Sequence, residues 1–515
     1  MTRRHNQMSE ALSHLFTQAA EAWRNQDYEA AIRSLEHASK VDRINPSIQL
    51  DLARAYGLRY EYSAAQRCLD KAVRLAPGKA QALVAAGGRC QEFGHYEMAK
   101  RFFDRAIAEN GNNCEALVTL AELSERHHEN DRALDLVTRA LKREPAHSRA
   151  QVVKARLLRI TGKLEEGENT LREAIANPAC DPSNRIRAWY ELGQILDRQC
   201  RYEEAMAAFL EAKALQLPGA ATLVPILNGI QNRILEMERT ITADVLQRWC
   251  DPAAELIPSR PLAILCGHPR SGTTLLEQML DSHPDIVTAE ETHILHDEAY
   301  LPLSRGFPDD TSILEVLNSA APASLKKSRA DYFRFTELFI GKTIGDRLLI
   351  DKNPALNVLI PAAVRIFPEA RFLVALRDPR DVCLSCFMQP LALNPVSSAY
   401  LSLDGTIRQY ASVMGFWRSI LPKLSNAWME VRYETLVGEF EDSARRILTF
   451  LGKSWNPEVL KFHEYARAKP VRSPTYADVV NPVNNRAVGR WANYSQYFES
   501  YLDKLQPFLD AFGYS

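Results

Sequence analysis

The 515-residue sequence has no excess of charge of either sign: 63 Lys and Arg stand against 64 Asp and Glu, a formal net charge of −1. That balance excludes a histone-like or generally nucleic-acid-coating protein, so any anion site must be local. No apolar run approaches the ~18 residues of a membrane span. The opening MTRRHNQMSEALSHLF has basic residues but lacks the apolar core of a signal peptide. Cysteine is sparse: nine are scattered along the chain, which is no disulfide framework. A reducing, cytoplasmic setting is therefore expected. Metal-ligand spacing is also missing. His127-His128 stands without further ligands nearby and reads as a solvated helix end. Cys383-x-x-Cys386 has no partner pair and reads as packing, so no metal is expected. What is present is 46% hydrophobic and 25% charged residues, ample for the cores of two to four domains.

The first 219 residues repeat. Small residues recur at Ala31, Ala65, Ala99, Ala133 and Gly167, each step being 34, and again at Ala205 after a step of 38. A parallel series runs through Ala38, Ala72, Ala106, Ala140, Ala174 and Ala212. Tyr28, Tyr62, Tyr96 and Tyr202 mark the start of a second helix in their units, and Pro77 and Pro145 close two units. Two short amphipathic helices per unit need a small residue where their backbones approach, and each unit buries its remaining apolar face on the next. The longer step reflects an insertion near Asn177-Pro178-Ala179-Cys180-Asp181-Pro182. This pattern resembles the tetratricopeptide repeat, about six units over 11–219. The resemblance implies an all-α solenoid whose concave surface takes a peptide or protein; a scaffold that dimerises or shields the chain is the alternative.

Residues 220–258 remain helical in pattern but lose the register, which makes them a helical linker. Pro258-Ser259-Arg260-Pro261 then places a boundary near 259. From there to 515, apolar runs alternate with helical patterns, predicting an α/β domain with a mainly parallel sheet.

LAILC, 262–266, reads as a strand, Gly267-His268-Pro269-Arg270-Ser271-Gly272-Thr273-Thr274 as a tight turn, and LLEQML as a helix. Strand, Gly-rich loop and helix aim backbone N–H groups at a phosphate. Against the pattern G-x-x-x-x-G-K-[ST], Thr273 replaces the lysine that reaches the β- and γ-phosphates, while Arg270 offers a forked cation inside the loop. In ARFLVALRDPRDVCLSCFM, 370–388, Arg377 ends a strand and Ser385 follows on a helix, a second phosphate grip on the same sheet edge.

Together these segments resemble the sulfotransferases that use 3′-phosphoadenosine 5′-phosphosulfate (PAPS), over most of 261–495, with a P-loop-like fold. The resemblance implies that Arg270 holds bridging or sulfuryl oxygens, that Ser271, Gly272, Thr273 and Thr274 hold the 5′-phosphate, and that Arg377 and Ser385 hold the 3′-phosphate. LDSHPDIVTAEET, 280–292, is similar to the protein-tyrosine sulfotransferase branch, which makes Glu291 the catalytic base. DKNP, 351–354, makes Lys352 the transition-state cation. VRYETL, 431–436, resembles a strand whose tyrosine, here Tyr433, faces the cofactor. SPTYADVVNPVNNRAVGRW, 473–491, resembles the late cofactor loop, which puts Thr475 or Ser473 at a transition-state hydroxyl and Arg490 at the final cofactor contact. Gln389 stands where the tyrosine enzymes carry a second 3′-phosphate arginine, and Asn481 where they carry a lysine.

The implied reaction passes a sulfuryl group in line to an acceptor hydroxyl on a protein tyrosine, a carbohydrate or a small molecule. It needs positioning, fixed cations and one base, and no metal. The rival readings are a P-loop kinase or nucleotidase and a non-enzymatic repeat scaffold with a degenerate sulfotransferase fold. The 293–345 segment is expected to shape the acceptor pocket. Acceptor identity, repeat partner and oligomeric state are not readable from the sequence.

Overall fold

The computed structural model describes residues 2–25, 27–251, 256, 259–467 and 479–514, with side chains from Glu10 onward. The chain divides into two compact units, Met1–Lys163 and Leu164–Ser515.

The first unit is a stack of antiparallel helix pairs: Tyr28–Val41 follows Thr2–Arg24, Tyr62–Leu75 follows Pro46–Leu58, Tyr96–Glu109 follows Lys79–Glu92, and Asn130–Arg143 follows Cys114–Arg126. Tyr28, Tyr62 and Tyr96 each open the second helix of a pair. The repeating alanines of both series are buried because each lies where two helices touch. Close approach has a second device that the two series did not reveal. A methyl at Gly87 would fall 2.7 Å from the Phe103 ring, so the phenylalanine of one helix fills the space that glycine leaves on the other. Asp27 and Asn113 start their helices by accepting from the N–H groups of Ala30 and Ala116. His127 does sit at a helix end, but it is not solvated: its side chain is 8% exposed and its Nδ1 lies 3.0 Å from Glu97. That contact with the preceding repeat draws the ring inward, and burial lowers its pKa.

The second unit begins inside the repeat register. Its helices Leu164–Ala176, Pro182–Arg198 and Tyr202–Ala220 carry Gly167, Ala174, Ala205 and Ala212, all buried. A methyl at Gly193 would fall 2.6 Å from the Phe209 ring, in the same relation as Gly87 to Phe103. The helix Val224–Thr240 joins the helix Leu403–Ile420 through Gln231 and Gln409 at 3.0 Å, and Trp249, on the helix Ala243–Cys250, donates to Asn318 at 2.8 Å.

Five parallel strands follow: β1 (Leu262–Gly267), β2 (Ile286–Glu290), β3 (Leu348–Lys352), β4 (Arg371–Leu376) and β5 (Trp428–Arg432). Their spatial order is β2-β3-β1-β4-β5. β1 and β3 are buried along their whole length, as expected for parallel strands covered on both faces, whereas edge strand β5 is half open. The order switches direction at β1. The crevice beyond its carboxyl end therefore lies between two crossovers of opposite sense, which is where an open α/β sheet binds ligands.

Candidate active site

Three segments meet at that crevice. The loop after β1 turns sharply, with Arg270 at φ 74° and Gly272 at φ 91°, before the helix Thr273–Asp281 begins. The left-handed region is costly for a residue that carries a Cβ, arginine included, and it persists only where neighbours hold it. Here they do. Gly267 N–H donates to Asn357 Oδ1 at 3.0 Å, Ser271 N–H donates to the His268 carbonyl at 3.2 Å, and Arg270 Nε donates to Ser385 Oγ at 3.0 Å. Ser271, Thr273 and Thr274 are buried at the helix start. A side chain at 272 has no room, because its Cβ would lie 2.5 Å from Tyr433 Cδ2. Tyr433 opens a short helix, Tyr433–Gly438, directly after β5 rather than lying within the strand, since the strand ends at Arg432.

Arg377 follows β4 directly and is buried. It donates from Nη1 to the Arg270 carbonyl at 3.1 Å and from Nη2 to the Ala487 carbonyl, and its guanidinium carbon lies 5.2 Å from the Tyr433 ring centre. Its Nε is buried and has no partner among the described residues. A buried, fixed guanidinium with a donor to spare is chemically able to take an anion, beside Asp381 at 3.5 Å. Beneath it, the helix Pro379–Phe387 carries Ser385 and Cys386. Burial pushes the Cys386 thiol up to about 12 and keeps neighbouring His268 neutral by lowering it to about 4. Both are packing groups of the loop floor.

The second cluster lies at the ends of β2 and β3. Lys352 is the last residue of β3, so it is not a solvated loop lysine: no part of its side chain is exposed. Its Nζ lies 2.9 Å from Glu291, 3.2 Å from Glu277 and 3.5 Å from Glu290. Burial alone would strip its proton, but the carboxylates of Glu277, Glu291 and Glu290 win and raise its pKa above that of an ordinary lysine. Glu291 stands one residue past β2 at φ 50°, its N–H donates to the Lys352 carbonyl at 2.6 Å, and its side chain stays 32% exposed. Alongside, Tyr332 donates to Asp351 at 2.9 Å, and desolvation lifts that carboxyl to about 7 against the pull of Tyr332 and Lys352.

The structure thus brings Arg270, Ser385, Arg377 and Tyr433 into one cluster and Glu291 with Lys352 into another. Arg490 opens a helical turn and pairs with Asp197 at 2.6 Å. Thr475 and Ser473 lie outside the described residues. Sequence reasoning missed Glu277, Glu290 and Asp381. Glu277 sits on a helix face among polar neighbours, where a glutamate reads as solvated. Asp381 accepts from the N–H groups of Gly489 and Trp491, both at 2.8 Å, and so anchors the late loop. Among the described residues no group of His, Cys, Asp and Glu is arranged to hold a metal ion, and no helix is long and apolar enough to cross a membrane.

Residues 261–457 match the sulfotransferase family, and 118–185 and 162–216 match the tetratricopeptide repeat. The protein-tyrosine sulfotransferase of Drosophila melanogaster is 26% identical over 283 residues, covering 52% of this chain and 53% of that protein. Protein-tyrosine sulfotransferase 1 of Danio rerio is 27% identical over 256 residues, covering 45% of this chain and 65% of that protein. The chain therefore spans less than two thirds of either relative. Among solved structures, the sulfotransferase domain of the Synechococcus PCC 7002 olefin synthase is 21% identical, covers 50% of this chain and 96% of that one, and has a TM-score of 0.35.

Proposed function

We propose that this chain, with a sulfotransferase-family domain behind tetratricopeptide repeats, transfers the sulfuryl group of PAPS to an acceptor hydroxyl. The observation that carries the reading is the convergence of both phosphate segments on Arg270, through Ser385 at 3.0 Å and Arg377 at 3.1 Å. The fit to PAPS rests on the buried Nε of Arg377, which has no partner among the described residues, and on the tight turn at Gly272, where Tyr433 leaves no room for a side chain. Ser271 to Thr274 would hold the 5′-phosphate, Arg377 and Ser385 the 3′-phosphate, with Tyr433 and Arg490 beside them.

When bound, PAPS supplies the sulfuryl group and the leaving phosphate oxygen. The residues of the chain do the rest. A carboxylate oxygen of Glu291 takes the proton of the acceptor hydroxyl. Lys352, kept charged by its three glutamates, and Arg270, fixed by Ser385, would place positive charge where the leaving oxygen gains negative charge as its bond to sulfur breaks. Lys352 reaches Glu291 directly, so cation and base are held together before either acts.

The acceptor we propose is a protein tyrosine presented by a partner bound to the repeats. The names of the fly and fish relatives support the tyrosine, and the repeats support a protein partner. Calorimetric titration with 3′,5′-ADP against ATP, with and without Mg²⁺, tests the donor assignment. Metal-independent binding of 3′,5′-ADP with poor ATP binding is expected. Preference for Mg·ATP would overturn it in favour of a kinase or nucleotidase, and binding of neither would leave a scaffold.

A further inference from the structure

We propose that the last repeat is part of the cofactor site, and that Asp197 is the residue through which it acts: a positioning residue for Arg490 and the late loop. The proposal rests on the reading of Arg490 as a cofactor contact.

Among the described residues, the late loop is held at its root by buried Val479 and Val480 and by Arg467 Nε, which donates to the Val480 carbonyl at 2.8 Å. From Asn481 to Gly489 most side chains are exposed, with Val483 packed in part against the core. The rest of the loop's order comes from a few polar anchors. Arg377 takes the Ala487 carbonyl, and Asp381 takes the N–H groups of Gly489 and Trp491. Both of those anchors flank the start of the helix Pro379–Phe387, so they fix the backbone of the loop but not the direction of the Arg490 side chain. That direction comes from elsewhere. Asp197 lies near the end of the repeat helix Pro182–Arg198. Its Oδ2 meets Arg490 Nη2 at 2.6 Å and its Oδ1 accepts from the Tyr494 hydroxyl at 2.7 Å. The carboxylate is 12% exposed and uses both oxygens on this one segment. Tyr202, which opens the next repeat helix, packs edge-on against Tyr494 with ring centres 5.4 Å apart. One turn earlier on the Asp197 helix, Gln194 donates to the Met388 carbonyl at 3.0 Å, at the far end of the helix that carries Ser385. One repeat helix therefore grips both pieces of the 3′-phosphate side.

A guanidinium has five donors in a rigid fork. Spending one on Asp197 fixes the plane of the group and leaves the others aimed. Without the carboxylate, the exposed loop and a long side chain must be ordered when the ligand binds, at a cost in rotamer freedom.

The test is a double-mutant cycle on the full chain, read by calorimetric titration with 3′,5′-ADP. Asp197→Ala is expected to weaken binding about tenfold, the scale of one well-placed hydrogen bond. Arg490→Ala is expected to weaken it at least as much. In the Arg490→Ala background, Asp197→Ala is expected to add little, because the side chain that it aims is gone and only its hold on Tyr494 remains. Asp197→Glu, which keeps the charge, is expected to recover part of the affinity. If Asp197→Ala costs the same with and without Arg490, Asp197 serves general stability and the inference falls. Unchanged or tighter binding in Asp197→Ala also overturns it. Should Asp197→Ala fail to fold, Asp197→Asn runs the same cycle with the Tyr494 hydrogen bond preserved. A wild-type chain that ignores 3′,5′-ADP would instead sink the sulfotransferase reading itself, which separates the two failures.

Discussion

The outer repeats and the sheet crevice solve burial in opposite ways. In Met1–Lys163 the closed positions are mostly alanine, leucine, valine and phenylalanine, and most charge stays at the surface, as in Arg132 with Asp104 or Arg105 with Asp70; Arg59 and Glu125 are buried exceptions, each paired with a neighbouring helix. Around β1 the same chain buries Lys352, Glu277, Arg377 and Asp381. A wall of repeats needs only small residues at a fixed interval and neighbours of the right size. A site for an anion needs charges taken out of water, and each is costly unless fully partnered. The partners at the crevice come from distant stretches of chain: Lys352 draws on 277, 290 and 291, and Arg377 on 270 and 487. Repetition is local and mostly apolar; the crevice is non-local and polar.

Three substitutions would break or sharpen that contrast. The largest effect is expected from Glu291→Gln. It should leave 3′,5′-ADP affinity intact and lower the transfer rate by about 10²–10⁴, the usual worth of a positioned base. A variant that binds cofactor and transfers at the full rate would remove Glu291 from the mechanism. Next, Ala99→Leu forces extra volume between two repeat helices at a fully buried position. It should cost about 1–3 kcal/mol in thermal unfolding of the repeats while leaving 3′,5′-ADP affinity unchanged. An unaltered melting curve would mean that the small-residue series is not a packing requirement.

The smallest effect concerns Lys213, a buried cation carried by a repeat helix. Its Nζ donates to the Tyr400 carbonyl at 2.6 Å and lies 4.2 Å from the Phe387 ring centre. Desolvation lowers its pKa to about 7, with Cys386 opposing weakly. Because the folded pKa lies below the unfolded one, the unfolded chain holds this proton more tightly. The resulting penalty is present in full below about pH 7 and fades as pH rises toward that of an ordinary lysine. Lys213→Met should therefore stabilise the chain by about 1 kcal/mol at pH 7, and by less at pH 9. A gain that grows with pH would reverse the assignment.

The repeats were legible because their constraint is periodic: Ala31, Ala65 and Ala99 announce the helix contact at each turn of the stack. The loop from Gly267 to Thr274 was legible because a tight turn toward an anion limits composition. What escaped was pairing across the chain. Nothing at Glu277 says that Lys352 lies 3.2 Å away, and nothing at Asp197 points to Arg490 almost three hundred residues later. Gly193 escaped as well, since its reason is a phenylalanine on the next helix. These are properties of the folded neighbourhood, and a single sequence shows only one side of each.

The backbone at Arg270 and Glu291 has an evolutionary consequence. Both adopt a conformation that glycine takes freely and that other residues resist. Selection for folding alone would let the two positions drift to glycine, gaining stability and losing a cation and a base. Copies of this domain that have given up chemistry should show that drift first, well before their cores erode.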